Sequence, residues 1–343
     1  MKSSPNRVLT VGINGDQKFL NSCSFALEQL GCGVKEYDYY QKFLNKKHLF
    51  LPYVGDITEK INYLSINNEL ISIAQKFKPN FILLIKCNPV FLSTIELLQK
   101  KFNIKIFNWN PDNPFNRLNT NWLHKKAIKH FDIYFIWGKF LVGMLENYGA
   151  KEVVYLPFCY DPRFFMPVSG IEEKDKIYDV VFIGTWEKER ELELENLTEF
   201  DLSIWGNSWE NLKSNSPLKK FLKGKAVYGQ TLSEIYAKSK IILNFIRKQN
   251  GNAQNTRTFE VPACRQFLLT ARTKEQLEFF QEGKEIECFG DLIELKQKIL
   301  FYLRNPKLRA EIANNAYLKS YSNTFKNRMS QVLEIYKEAT YCK

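Results

Sequence analysis

The sequence predicts an α/β protein of two Rossmann-like domains, and three observations carry that reading. Short continuous apolar runs, such as NFILLIK at 80–86 and YDVVFIG at 178–184, have the length and composition of strands buried on both faces. Between them lie segments with apolar residues at helical spacing, so strands and helices alternate. The opening RVLTVGING (7–15), a strand running into a Gly turn and then a helix, is restated at YDVVFIGTW (178–186). A chain of 343 residues also exceeds what one hydrophobic core usually serves, which suits two domains with a cleft between them.

In the first half, Gly12 and Gly15 end the first strand and allow close backbone approach of a ligand. The pattern falls short of GxGxxG, so turn geometry alone explains it equally well. A helix follows through 19–30, a second strand over 34–39, and one or two helices over 57–77. Lys78-Pro79 punctuates before the strand at 80–86. A helix over 91–101 returns to a strand at 104–109. That strand runs into NWNPDNPFN (108–116), where two prolines forbid helix and Asp112 sits at a strand's carboxyl end. Ligands of open α/β sheets bind there, although an Asx turn capped by Asp112 is the alternative. A helix over 118–129, a strand over 131–137 and a helix over 139–148 closing at Gly149 complete this half.

VVYLPFCYDPRFF (153–165) reads as the hinge, because its prolines interrupt the periodic pattern. Beyond it the spacing predicts a strand at 178–184, a helix over 188–197 and a strand over 203–206. The Glu residues of ERELELENL (189–197) point to different sides of that helix and form a solvated face. Thr231, with Glu234 three residues on, has the capping-box spacing for a helix over 231–239. A strand over 241–246 then delivers Arg247 and Lys248 into NGNAQNTRTFEVPACRQFLLT (250–270). This polar loop feeds a helix start and then an apolar strand, so Arg257, Glu260 and several backbone N–H groups stand together where anions and sugar hydroxyls can be held. A helix over 274–280, a strand over 286–289 and a long helical region from 292 onward follow.

The composition, 45% hydrophobic and 15% aromatic, is that of a folded globular chain. Net charge is +12, spread over nearly every segment without a basic block. Nucleic acid is therefore not expected as a partner, whereas a nucleotide diphosphate or peripheral contact with an anionic membrane suits the field. Seven cysteines with no CxxC pair and no zinc spacing point to reduced, structural thiols. With neither a signal-peptide run nor eighteen consecutive apolar residues, the cytoplasm is the expected compartment, with membrane-peripheral contact compatible.

Three segments of the second half carry a family resemblance: YDVVFIGTWEKER (178–190), NTRTFEVPACRQFLLT (255–270), and EFFQEGKEIECF (278–289) with YLRNPKLRAEIANNAY (302–317). They are similar to CgeB-like, spore-maturation-type glycosyltransferases related to group 1, which have the GT-B fold. The resemblance covers the second half well and the first 100 residues weakly. It implies two Rossmann-like domains with parallel sheets facing across a cleft: an acceptor-side domain at 1–157, a nucleotide-sugar domain at 158–325, and a last helix, 326–343, that crosses back.

By the same resemblance Glu260 holds the ribose hydroxyls of a nucleotide-diphosphate sugar, and one carboxylate can accept two such charge-assisted bonds. Gly184, Thr185, Arg190, Arg247 and Arg257 suit the diphosphate. Asn252 stands eight residues before Glu260, where many relatives carry a second Glu. Asp112 is the candidate base or sugar contact, since Pro111 stands where relatives place a His. Arg265 replaces a favoured Gly, so its turn either avoids positive φ or accepts strain. The chain contains no Asp-x-Asp pair, in keeping with metal-independent chemistry and no cofactor. The implied acceptor is a glycan, a lipid-linked sugar or a protein. The alternative is a catalytically silent nucleotide- or sugar-binding protein on the same scaffold.

Overall fold

The computed structural model describes residues 6–341 apart from 16–17, 41, 43–51, 87 and 117–118. The chain divides into two compact units, residues 1–157 with 325–343, and residues 158–324.

The first unit alternates as its apolar runs require: β1 (Arg7–Gly12), α1 (Phe19–Gln29), β2 (Gly33–Asp38), α2 (Pro52–Phe77), β3 (Phe81–Ile85), α3 (Leu92–Phe102), β4 (Lys105–Asn110), α4 (Trp122–Ala127), β5 (Ile133–Ile136), α5 (Lys139–Tyr148) and β6 (Val153–Tyr155). All pairings are parallel, in the order β2-β1-β3-β4-β5-β6. The order reverses between β1 and β3, which makes the crevice at their carboxyl ends a topological switch point. Every residue of β3 is buried, as a central strand covered on both faces should be. α5 ends at Gly149 with φ of 100°, a left-handed C-cap that glycine adopts without a Cβ clash. The helix expected over 118–129 is shorter. It begins after Asn121, whose side chain accepts the His124 N–H, while residue 118 lies outside the described residues.

The second unit repeats the plan: β7 (Tyr178–Ile183), α6 (Lys188–Glu195), β8 (Leu202–Trp205), β9 (Leu222–Gly224), α7 (Gly229–Ala237), β10 (Ser239–Asn244), α8 (Arg257–Ala263), β11 (Leu268–Ala271), α9 (Lys274–Phe279), β12 (Glu287–Phe289), α10 (Leu292–Arg304) and α11 (Pro306–Ser320). Its sheet is also parallel, ordered β12-β11-β10-β7-β8-β9. Here the reversal falls between β7 and β10. The core on one side of this sheet includes Val180, Phe182, Leu194, Ile204, Ile241, Leu243, Phe245 and Leu269.

Two expectations differ from the structure. Thr231 is not an N-cap: the helix starts two residues earlier at Gly229, whose φ of 57° turns the chain out of extended Tyr228, so Thr231 already lies in the first turn. Glu191 is not solvated but 3% exposed, held by the Trp186 indole N–H at 2.8 Å and by Lys188 Nζ at 2.6 Å. The long helical region after 292 is three helices, broken where Pro306 lacks an N–H and again before Phe325. The last of these, α12 (Phe325–Tyr341), belongs to the first unit. Phe325 packs edge-on against Phe19 at 5.0 Å, Tyr336 lies 4.9 Å from Phe81, and Arg328 Nε donates to the Pro157 carbonyl at 3.1 Å.

Candidate functional site

In the second unit the loops that leave β7 and β10, the two strands at the switch point, carry the sequence-selected arginines. Arg190 comes from the first turn of α6, Arg247 from the loop after β10, and Arg257 opens α8. Arg190 is 7% exposed. Its Nη1 donates to the Thr185 carbonyl at 2.9 Å and its guanidinium lies over the Phe182 ring at 5.5 Å. Burial, and then the positive charges of Arg247 and Arg257, push its pKa down to about 10. Three guanidinium groups thus stand within mutual electrostatic reach. Glu187 answers part of that charge, at 3.0 Å from Arg247 Nε and 3.5 Å from Arg190 Nε. The Nε atoms of Arg190 and Arg257 are buried with no hydrogen-bond partner among the described residues. Donors of one sign whose hydrogen-bonding capacity is unmet, even with Glu187 nearby, are suited to accept an anion.

Glu260 lies one turn into α8, half-buried, close enough to Arg257 to feel its charge. Burial pushes its carboxyl up to about 6, against the pull of Arg257 and a hydrogen bond from Thr256. The phenol of Tyr236 is buried beside Arg257 and Glu260, and burial raises its pKa too. Among the described residues no three His, Cys, Asp or Glu side chains gather as a metal site.

Gly184 serves differently from a backbone donor to phosphate. Its N–H is spent on the Trp205 carbonyl at 2.9 Å, and its own carbonyl accepts the Trp209 indole N–H at 2.9 Å. A Cβ at Gly206 would stand 1.9 Å from the Gly184 oxygen, so the two glycines let the ends of β7 and β8 close tightly under the arginines. Thr185 is exposed and contributes its carbonyl to Arg190. Asn252 is exposed, with its carbonyl accepting the Glu275 N–H at 3.1 Å.

The first unit holds Asp112, Gly12 and Gly15 separately from this arginine set. Gly12 ends β1, where a Cβ would press on Ile85 at 3.1 Å, so close strand packing accounts for it. Gly15 turns with φ of 48° in open space. Asp112 is ion-paired with Lys86 at 2.5 Å, each side chain about one-third exposed. The Asx turn is formed by Asn110, whose Oδ1 accepts the Asp112 N–H at 3.0 Å. Asn110 Nδ2 in turn donates to the Tyr134 hydroxyl at 2.9 Å, which lies 2.8 Å from His124 Nε2. His124 is fully buried and held neutral, its pKa pushed down to about 3 by burial and then by Lys86.

Residues 190–334 match the family model described as glycosyl transferase-like. No curated protein matches the chain in sequence. Among solved structures, the sucrose-phosphate synthase of Thermosynechococcus elongatus superposes with a TM-score of 0.67 at 10% identity, over 98% of this chain and 100% of that one. A glycosyltransferase from Rickettsia africae gives 0.64 at 16% identity, over 99% and 100%. Anabaena HepE in complex with UDP and glucose gives 0.64 at 11% identity, over 96% and 99%.

The chain has the GT-B fold. Within its second GT-B unit the sequence missed a buried polar network that fixes the loop carrying Arg257. Asn244 Nδ2, at the end of β10, donates to Asn255 Oδ1 and to Thr270 Oγ1, both at 3.1 Å. Asn255 Nδ2 returns a bond to Asn244 Oδ1 at 2.8 Å, and Thr258 and Thr270 each donate to Gln276 Oε1 at 3.0 Å. Asn255, Thr258 and Thr270 lie in the 255–270 segment already singled out, but the network is closed by Asn244 and Gln276 from outside it, so the local sequence does not mark it. The signal available was polar residues inside otherwise apolar strands, Asn244 and Thr270. Within the first GT-B unit the missed residue is Lys86, whose left-handed backbone, φ of 62°, ends β3 at the switch point.

Proposed function

We propose that the protein is a glycosyltransferase of the CgeB-like branch, taking a sugar from a nucleotide-diphosphate sugar bound in residues 158–324 and passing it to a glycan, lipid-linked or protein acceptor. The observation that carries this is the convergence of Arg190, Arg247 and Arg257 at a switch point, one helical turn from a half-buried carboxylate, Glu260.

Departure of a nucleoside diphosphate builds negative charge on its oxygens. Guanidinium groups fixed beforehand meet that charge without reorganising. Arg190 is held by Phe182 and Thr185, and Arg257 opens a helix whose leading loop is pinned at Asn255 by the Asn244 network. In this reading the arginines carry the diphosphate in place of a metal ion and Glu260 accepts both ribose hydroxyls. Asp112, together with Lys86, is the candidate acceptor-side contact. Its carboxylate is already committed to an ammonium, which favours a role in positioning the sugar or its acceptor over that of a free base.

Thermal shift and calorimetry against UDP-, GDP-, ADP- and dTDP-sugars test the reading. One nucleotide family should bind, and Glu260→Ala should weaken it by about tenfold or more, the range for a charge-assisted pair of hydrogen bonds. Binding undiminished in the variant rules out the ribose assignment. Slow release of free sugar from the donor separates an enzyme from a silent binding protein.

A further inference from the structure

We propose that α4 and α5 of the first unit form a docking surface for an anionic lipid bilayer. Their strands β4, β5 and β6 are sequential neighbours in a parallel sheet. Right-handed crossovers therefore lay both helices on the same sheet face, side by side. α5 buries Leu141 and Leu145 toward the sheet. A helix on a solvated surface would be polar on its other faces. Instead Phe140, Met144 and Tyr148, at i, i+4 and i+8, form an apolar stripe exposed by 38%, 43% and 37%. On α4 Trp122 is 64% exposed, an unusual place for the largest apolar side chain.

Cations interleave this surface. Lys126 Nζ lies 4.8 Å from the Trp122 ring, Lys129 Nζ 5.5 Å from the Tyr148 ring, and Lys139 Nζ 5.4 Å from the Tyr155 ring. The Lys129–Tyr148 contact ties the turn after α4 to α5, and Phe115, in the loop before α4, meets Tyr148 edge-on at 5.7 Å. The acid on α5 is Glu146, and nearby Asp132 already faces Lys105 and Lys151.

The choice of occupant follows from the lysines. Lysine is depleted from protein–protein interfaces because its ammonium is strongly hydrated. Tryptophan and tyrosine beside lysine suit the headgroup zone, where rings enter the acyl boundary and ammonium groups meet lipid phosphates. Among the described residues no helix is long and apolar enough to cross a membrane, so this surface would rest on the bilayer rather than span it.

Co-sedimentation of the full chain with phosphatidylglycerol–phosphatidylcholine vesicles and with phosphatidylcholine vesicles alone tests the proposal. The protein should partition to the anionic vesicles and be released by salt. Lys126→Glu with Lys129→Glu should lower partitioning by at least about fivefold per lysine, and Trp122→Ser with Met144→Ser should lower it at unchanged charge. A control pair on the second unit, Lys219→Glu with Lys220→Glu, should retain binding. Circular dichroism and melting confirm that each variant is folded. Failure of the wild type to bind, equal loss in the control pair, or a dimer in light scattering that the Trp122 variant dissolves would each overturn it. The assay uses neither donor nor turnover, so its outcome is independent of the activity assigned to residues 158–324.

Discussion

Glu187 and Arg247 form an ion pair at 3.0 Å, and the same carboxylate reaches Arg190 at 3.5 Å. One acid thus compensates two of three converging arginines, and its side chain is about one-third exposed. In the proposed role of these arginines, an incoming diphosphate competes with it for the same guanidinium groups. Glu187→Gln removes the competitor, so a nucleoside diphosphate should bind about two- to fivefold more tightly, at a stability cost below about 1 kcal/mol. Calorimetry and thermal melting read the two effects, and weaker binding would show that Glu187 orients the arginines instead.

Glu260 gives opposite pH dependences for stability and for binding. Its folded pKa is raised from the ordinary 4.5 to about 6, chiefly by burial. The protonated form is therefore favoured in the folded state. Its stabilising contribution is complete below 4.5 and is lost as pH rises through about 6. In the proposed ribose-binding role, by contrast, the hydroxyls would donate to the ionised form, so donor affinity should fall as pH drops through about 6. Glu260→Gln should flatten both profiles, as read by urea melts and by Kd across pH 4 to 8. A wild-type affinity that is level over that range would contradict the assignment.

Arg265 shows what a resemblance leaves open and geometry decides. The Gln266 N–H donates to the Val261 carbonyl and the Arg265 N–H to the Pro262 carbonyl, the two bonds of a Schellman motif closing α8. Arg265 holds the left-handed position with φ of 56°. The turn accepts the strain. Arg265→Gly should raise stability by about 1 kcal/mol, seen as a higher melting temperature with donor binding unchanged.

Much of this architecture is legible in the chain because burial on both faces leaves a continuous apolar mark: FILLI became β3 and YDVVFI became β7. The arginines could be selected together because each follows a strand or opens a helix. What escaped lies in contacts between distant residues. Lys86 meets Asp112 from 26 positions away, and its left-handed backbone leaves no sequence mark. Glu191 looked solvated in ERELELENL because of its charge, although its i, i+3 spacing puts it on the same helix face as buried Leu194. Its Trp186 partner precedes the helix and draws it inward. Thr231 carried a capping signature, but the positive φ of Gly229 turns the chain into the helix two residues sooner.

The proposed division of labour has Glu260 recognising ribose while the arginines hold diphosphate. The most direct measurement is a calorimetric cycle with UDP, or the diphosphate that the binding panel selects, and its 2′,3′-dideoxy analogue, on wild type and Glu260→Ala. The wild type should prefer the hydroxylated nucleotide by about tenfold or more, and the variant should bind both alike, with the arginine-held diphosphate affinity remaining. A Glu260→Ala protein that still tells the two nucleotides apart would contradict the account.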